Sequence, residues 1–132
     1  MKVIALTLAA ATLALAGLTS CTEPISAQQD PIVAYPQVHM ASHWLETWTR
    51  VQPPIVNAVG SGQLQVAIPI RNLTNDPLSI DYQYRFLNKG AEVEGRSGWH
   101  NYVIPPRGMG QITFTSMTHT ANDFDVEIRY RK

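Results

Sequence analysis

His39, His43 and Glu46 are the residues of this chain whose types and spacing come closest to a metal site. On one continuous helix, steps of four and three residues bring side chains to a shared face, and two imidazoles with a carboxylate are ligands that zinc accepts. No fourth ligand is signalled, and the segment adjoins proline-rich chain, so a solvated stretch is expected and no metal is assigned. Hydrolytic chemistry has less to build on. A serine nucleophile on a sharp turn needs Gly-x-Ser-x-Gly, and the nearest stretch, Gly95-Arg96-Ser97-Gly98, lacks that spacing. Glu92 with Glu94, and Asp125 with Glu127, fall two residues apart; on strands each pair shares one face, where carboxylates keep an outer sheet surface wet. His100 and His119 stand alone and read as loop residues. No catalytic residue and no cofactor are expected.

Two further groups point to binding. In Ser97-Gly98-Trp99-His100-Asn101-Tyr102-Val103, Trp99 and Tyr102 stand beside polar residues between Gly98 and Pro105. Large rigid aromatics in such a loop have the composition of an interface hot spot, which makes Trp99 and Tyr102 the candidate partner contact. The competing reading is a tryptophan that caps the core. Asn72-Leu73-Thr74 matches a glycosylation sequon, but its place in a turn accounts for it.

Cys21 is the single cysteine, so no disulfide forms within the chain. It follows Lys2 and an uncharged apolar stretch from Val3 to Leu18, the pattern of a secretory signal sequence and not of a spanning helix. The exit Leu18-Thr19-Ser20-Cys21 resembles a bacterial lipobox, which implies cleavage before Cys21 and lipid on its sulfur. Each buried acyl methylene contributes about 0.8 kcal/mol, so two or three chains hold stably. Residues 1–20 are then a cleaved signal peptide. Thr22, by resemblance to enterobacterial lipoproteins, implies delivery to the outer membrane, facing the periplasm.

The mature chain of 112 residues suffices for one domain. Without Lys2, nine basic residues meet ten acidic ones, a balance that argues against nucleic acid as a partner. Residues 21–43, with Pro24, Pro31 and Pro36, read as anchor and extended tether, which at about 3.1 Å per residue reaches roughly 60 Å. From residue 44 onward the pattern is two-fold. Leu64, Val66, Ile68 and Ile70 alternate with polar or small residues; so do Leu78, Ile80, Tyr82, Tyr84 and Phe86, then Ile112 and Phe114, then Phe124, Val126, Ile128 and Tyr130. Asn, Asp, Gly and Pro punctuate these runs at Asn72–Pro77, Asn88–Gly90 and Pro105–Gly110. An all-β, antiparallel, immunoglobulin-like sandwich over 44–132 is the expected fold. Pro69 has no N–H to give to a ladder, so its strand is expected at an edge or bulged there.

The lipobox, the tether, the run VAIPIRNLTNDPLSIDYQYRFLNKGAEVE and the closing ANDFDVEIRYRK together resemble the YcfL-like family of small bacterial envelope lipoproteins, over Val51 to Lys132 plus the anchor. The resemblance implies an immunoglobulin-like sandwich of unestablished activity. The expected function is a lipid-anchored, noncatalytic accessory or adaptor module, with the membrane as partner through Cys21 and an envelope protein as a second partner. The alternative is a small-ligand or metal-binding envelope lipoprotein.

Overall fold

The structure, a computed structural model, describes residues 31–132; Cys21 and the signal segment lie outside the described residues. Chain order is β1 (Val38–Met40), α1 (His43–Trp48), β2 (Thr49–Val51), β3 (Ile55–Val59), β4 (Gln63–Asn72), β5 (Leu78–Asn88), β6 (Ala91–Glu92), β7 (His100–Ile104), β8 (Met109–Thr115) and β9 (Asp123–Tyr130).

The alternating residues sort as their polarity dictates. Val66, Ile68 and Ile70 of β4, Leu78, Ile80 and Phe86 of β5, Ile112 and Phe114 of β8, and Phe124, Val126 and Ile128 of β9 are all buried in one cluster. They come from two sheets packed face to face, the arrangement that lets two one-sided apolar surfaces cover each other. In the first sheet β5 is central, with β9 on one side and β7 and β6 on the other, and β1 lies beyond β9. In the second, β4 runs between β8 and the successive strands β2 and β3. The fold is an all-β sandwich, and every pairing is antiparallel except β1 with β9, which is parallel.

Pro69 sits in the middle of a central strand, not at an edge, and the register explains why that is tolerated. β3 pairs with β4 through Ala67 and β2 pairs from Ile70, so Pro69 lies opposite the gap between the two. Its carbonyl accepts from Gln52 N at 2.9 Å, and the chain opposite continues as Pro53-Pro54. The N–H that Pro69 lacks therefore points where no strand waits for it.

The ordered domain begins before residue 44. β1 lies in the stretch read from sequence as tether, held by registers such as Val38 with Val126 and Met40 with Ile128. From it, α1 crosses between the sheets at one end of the sandwich. Ser42 caps the helix, its Oγ accepting from Leu45 N at 3.1 Å, and Leu45 plugs the core with no exposure. The last carbonyls of the helix are answered by Thr49 Oγ1, which donates to Leu45 O at 2.7 Å, and by Arg50 Nη1, which donates to Glu46 O at 3.1 Å.

The Asn72 turn is fixed from inside. Asn72 is fully buried; its Nδ2 donates to the carbonyls of Asp76, Ile104 and Pro105, and its Oδ1 accepts from Thr74 N and Thr74 Oγ1. The sequon is thus a structural turn whose amide is sealed from any modifying enzyme.

Candidate binding surface

Odd-numbered residues of β5 and β9 face away from the core, and strand pairing brings them into rows across the outer face of the first sheet. Arg85 is directly opposite Asp125. Arg85 Nη2 donates to Asp125 Oδ2 at 2.8 Å and Nε donates to the same oxygen at 3.1 Å, while Oδ1 is in contact with His39 Nε2 from β1. Asp125 therefore joins three strands. Arg85 also lies 3.7 Å from Glu92. With Gln83, Arg96 and Glu127, the residues His39, Arg85 and Asp125 border a shallow depression on this face.

His39 and His43 part company here. The helix starts only at His43, so His39 projects from β1 toward Asp125, whereas His43 Nδ1 lies 3.6 Å from Glu46. The shared helical face that a metal site would use does not form. Among the described residues no group of three or more His, Cys, Asp or Glu is gathered in a way that could hold a metal ion.

Trp99 and Tyr102 also separate. Trp99 lies on the outer face, 37% exposed, with the Arg129 guanidinium carbon 3.8 Å from its ring centroid. It does not cap the core. Arg129 in turn lies 3.5 Å from Asp81, which Arg131 approaches at 3.9 Å. Tyr102, three residues on in an alternating strand, points inward. It packs against the core, and its hydroxyl accepts from Gln111 N at 3.2 Å. A Cβ on Gly110 would come within 2.6 Å of Tyr102 Cε1, so the ring occupies the space that glycine leaves. The proposed contact pair is thereby reduced to Trp99, since one strand cannot present both side chains to one partner.

On the inward side of the first sheet near β7, aromatic rings stack in a series that runs from the buried Phe114 out to the exposed His100. Tyr84 lies 4.4 Å from Phe114 and 5.7 Å from His100, centroid to centroid, and Tyr82 lies 5.3 Å from His100. Burial, together with the neighbouring Tyr84 and Tyr102 hydroxyls, raises the Tyr82 phenol above its ordinary value of 10.0. The signal was present as the repeat Tyr82, Tyr84, Phe86, but the partners Phe114 and His100 come from other strands.

These features define a small two-sheet β-sandwich with a polar, ion-paired outer face carrying one exposed tryptophan. The chain belongs to the DUF1425 family, described as a protein of unknown function, whose model matches residues 36–130. It is similar to the crystal structure of Campylobacter jejuni cj0090, with 17% identity, a TM-score of 0.58, and 72% of this chain and 98% of that one covered. It is also similar to a DUF1425 family member from Shewanella sp. PV-4, with 19% identity, a TM-score of 0.56, and 64% and 79% of the two chains covered. No curated protein matches the chain. At these identities the two structures speak to the fold.

Proposed function

We propose that this chain is a YcfL-like, lipid-anchored and noncatalytic accessory module of the bacterial envelope, held by acyl chains on Cys21 at the outer membrane, facing the periplasm, and recognising an envelope protein through its Trp99 face. The Trp99–Arg129 stack carries the reading. An exposed indole held flat by a guanidinium is a large, ordered contact surface that loses little side-chain freedom on binding, the property of hot-spot aromatics. The ion pairs around it supply a polar rim. A photoactivatable residue at Asn101, in intact cells, is expected to crosslink to a protein, and Trp99→Ala is expected to remove that adduct. Cys21→Ser is expected to abolish acyl labelling; equal labelling of variant and parent, or an adduct that survives Trp99→Ala, would sink the proposal.

The alternative, a small-ligand-binding lipoprotein, is favoured by one observation. A pocket lies between the segment Ile32–Tyr35 and the apolar Val38, Met40 and Val51, with Glu46, Thr49 and Arg50 also on its wall. Native mass spectrometry of protein purified from membranes tests it, with a bound mass expected only under this alternative.

A further inference from the structure

At the α1 end of the sandwich, three aromatic rings lie in contact at the surface. Trp44 and Trp48 are one helical turn apart with ring centroids 6.3 Å from each other, and Trp48 meets Tyr130 of β9 edge-on at 5.8 Å. Trp44 is 66% exposed and Tyr130 44% exposed. The fold has no use for Trp44, because Leu45, its neighbour, is the residue that plugs the core. Exposed apolar side chains are common singly, but here they gather. Ile32 and Val33, also exposed, line a pocket with Glu46, on the other flank of the same short helix.

The position of the anchor decides what covers this end. Cys21 stands ten residues before Pro31, the first described residue, and ten residues span at most about 35 Å when fully extended. Ile32 to Tyr35 line the pocket beside α1, so the chain that comes from Cys21 reaches the domain at this end. The roughly 60 Å of reach expected from sequence is nearly halved. We propose that the α1 end docks in the headgroup–acyl boundary of the membrane that holds the lipid anchor, with Trp44 and Tyr130 as the inserted residues; this rests on the lipid-anchor reading of Cys21. Tryptophan and tyrosine, each with an apolar ring and one polar hydrogen, are the side chains that favour that boundary. A short tether sets a high effective concentration, so even a weak interfacial affinity keeps the end engaged.

The test uses the full acylated protein in phosphatidylcholine vesicles with or without brominated acyl chains, which quench tryptophan emission by contact. One variant, Trp48→Phe with Trp99→Phe, keeps Trp44 alone; another, Trp44→Phe with Trp48→Phe, keeps Trp99 alone. Emission from Trp44 is expected to shift to shorter wavelength and lose most of its intensity in brominated vesicles, while Trp99 on the outer sheet face keeps its own. In the otherwise unchanged chain, Trp44→Ala is expected to remove most of the quenching, which serves if Trp48→Phe disturbs folding. Label on Cys21 with Trp44 quenched no more than Trp99 overturns the docking and leaves the anchor standing. Absence of label overturns the anchor and the docking with it, and crosslinks from position 44 to a protein but not to lipid overturn the docking as well.

Discussion

The guanidinium of Arg129 lies over the ring of Trp99, 3.8 Å from its centroid, on the side of the sheet that faces away from the core. Arg129 belongs to β9 and Trp99 immediately precedes β7, strands that do not pair with each other but both pair with β5. The stack therefore bridges across β5 and holds the indole against the sheet.

Because that contact is on the surface, Trp99→Ala is expected to cost only about 0.5–1 kcal/mol, the worth of an exposed cation–π contact. A buried aromatic would cost about 3–5 kcal/mol. Urea unfolding monitored by circular dichroism separates the two, and a loss in the larger range would place Trp99 in the core.

Asn72 should be among the least replaceable residues of the domain. Asn72→Ala takes away the amide that donates to the Ile104 and Pro105 carbonyls and the oxygen that accepts from Thr74 N, while Thr74 Oγ1 still donates to Asp76 O; the expected loss is about 3 kcal/mol. Asn72→Asp, equal in size but unable to donate, should be about as damaging; a near-neutral effect in thermal melts would contradict the bonding described.

Gly110→Ala is expected to destabilise by about 1–3 kcal/mol, since the new methyl group meets Tyr102 Cε1 and Ile104. Shortening the obstacle should relieve it. In a double-mutant cycle with Tyr102→Ala, the combined loss should be clearly smaller than the sum of the two single losses, and strict additivity would refute the contact.

Tyr82 gives the domain an alkaline limit. Its phenol is raised in the folded state by burial and then by Tyr84 and Tyr102, so above pH 10.0 the unfolded chain releases this proton first. The stabilisation is complete below the unfolded value and is lost as pH climbs through the raised folded one. Denaturant titrations across that window should show stability falling with pH, and Tyr82→Phe should flatten the fall; an unchanged slope would count against the assignment.

Much of the sandwich can be read from side-chain parity, because burying one face of a strand imposes a period of two wherever the strand is long. β4, β5 and β9, with 10, 11 and 8 residues, carry that period in full. β1 has three residues and α1 six, less than the window a period needs, so no periodicity marks either of them, and only Ser42 offers a capping residue. The surface was harder. His39, Arg85 and Asp125 meet only because β1 and β5 flank β9, and no local spacing encodes a register between residues 86 positions apart. Trp99 and Tyr102 mislead for the opposite reason, since closeness in sequence suggests a shared surface that strand alternation divides between two.

The place of β9 also decides what the first sheet needs before it is complete. It is the last strand of the domain and yet lies between β1 and β5, so the first sheet has a vacancy at its heart until residues Asp123–Tyr130 arrive. Among the described residues β1 is the earliest strand, and β9 is the strand it is hydrogen-bonded to. Upstream of β9 that sheet can assemble only β5 with its neighbours β6 and β7, and the pairing of Val38 with Val126 closes a loop that includes nearly the whole domain. Such high contact order slows folding and postpones it. The first sheet is therefore complete only when Asp123–Tyr130 lies between β1 and β5.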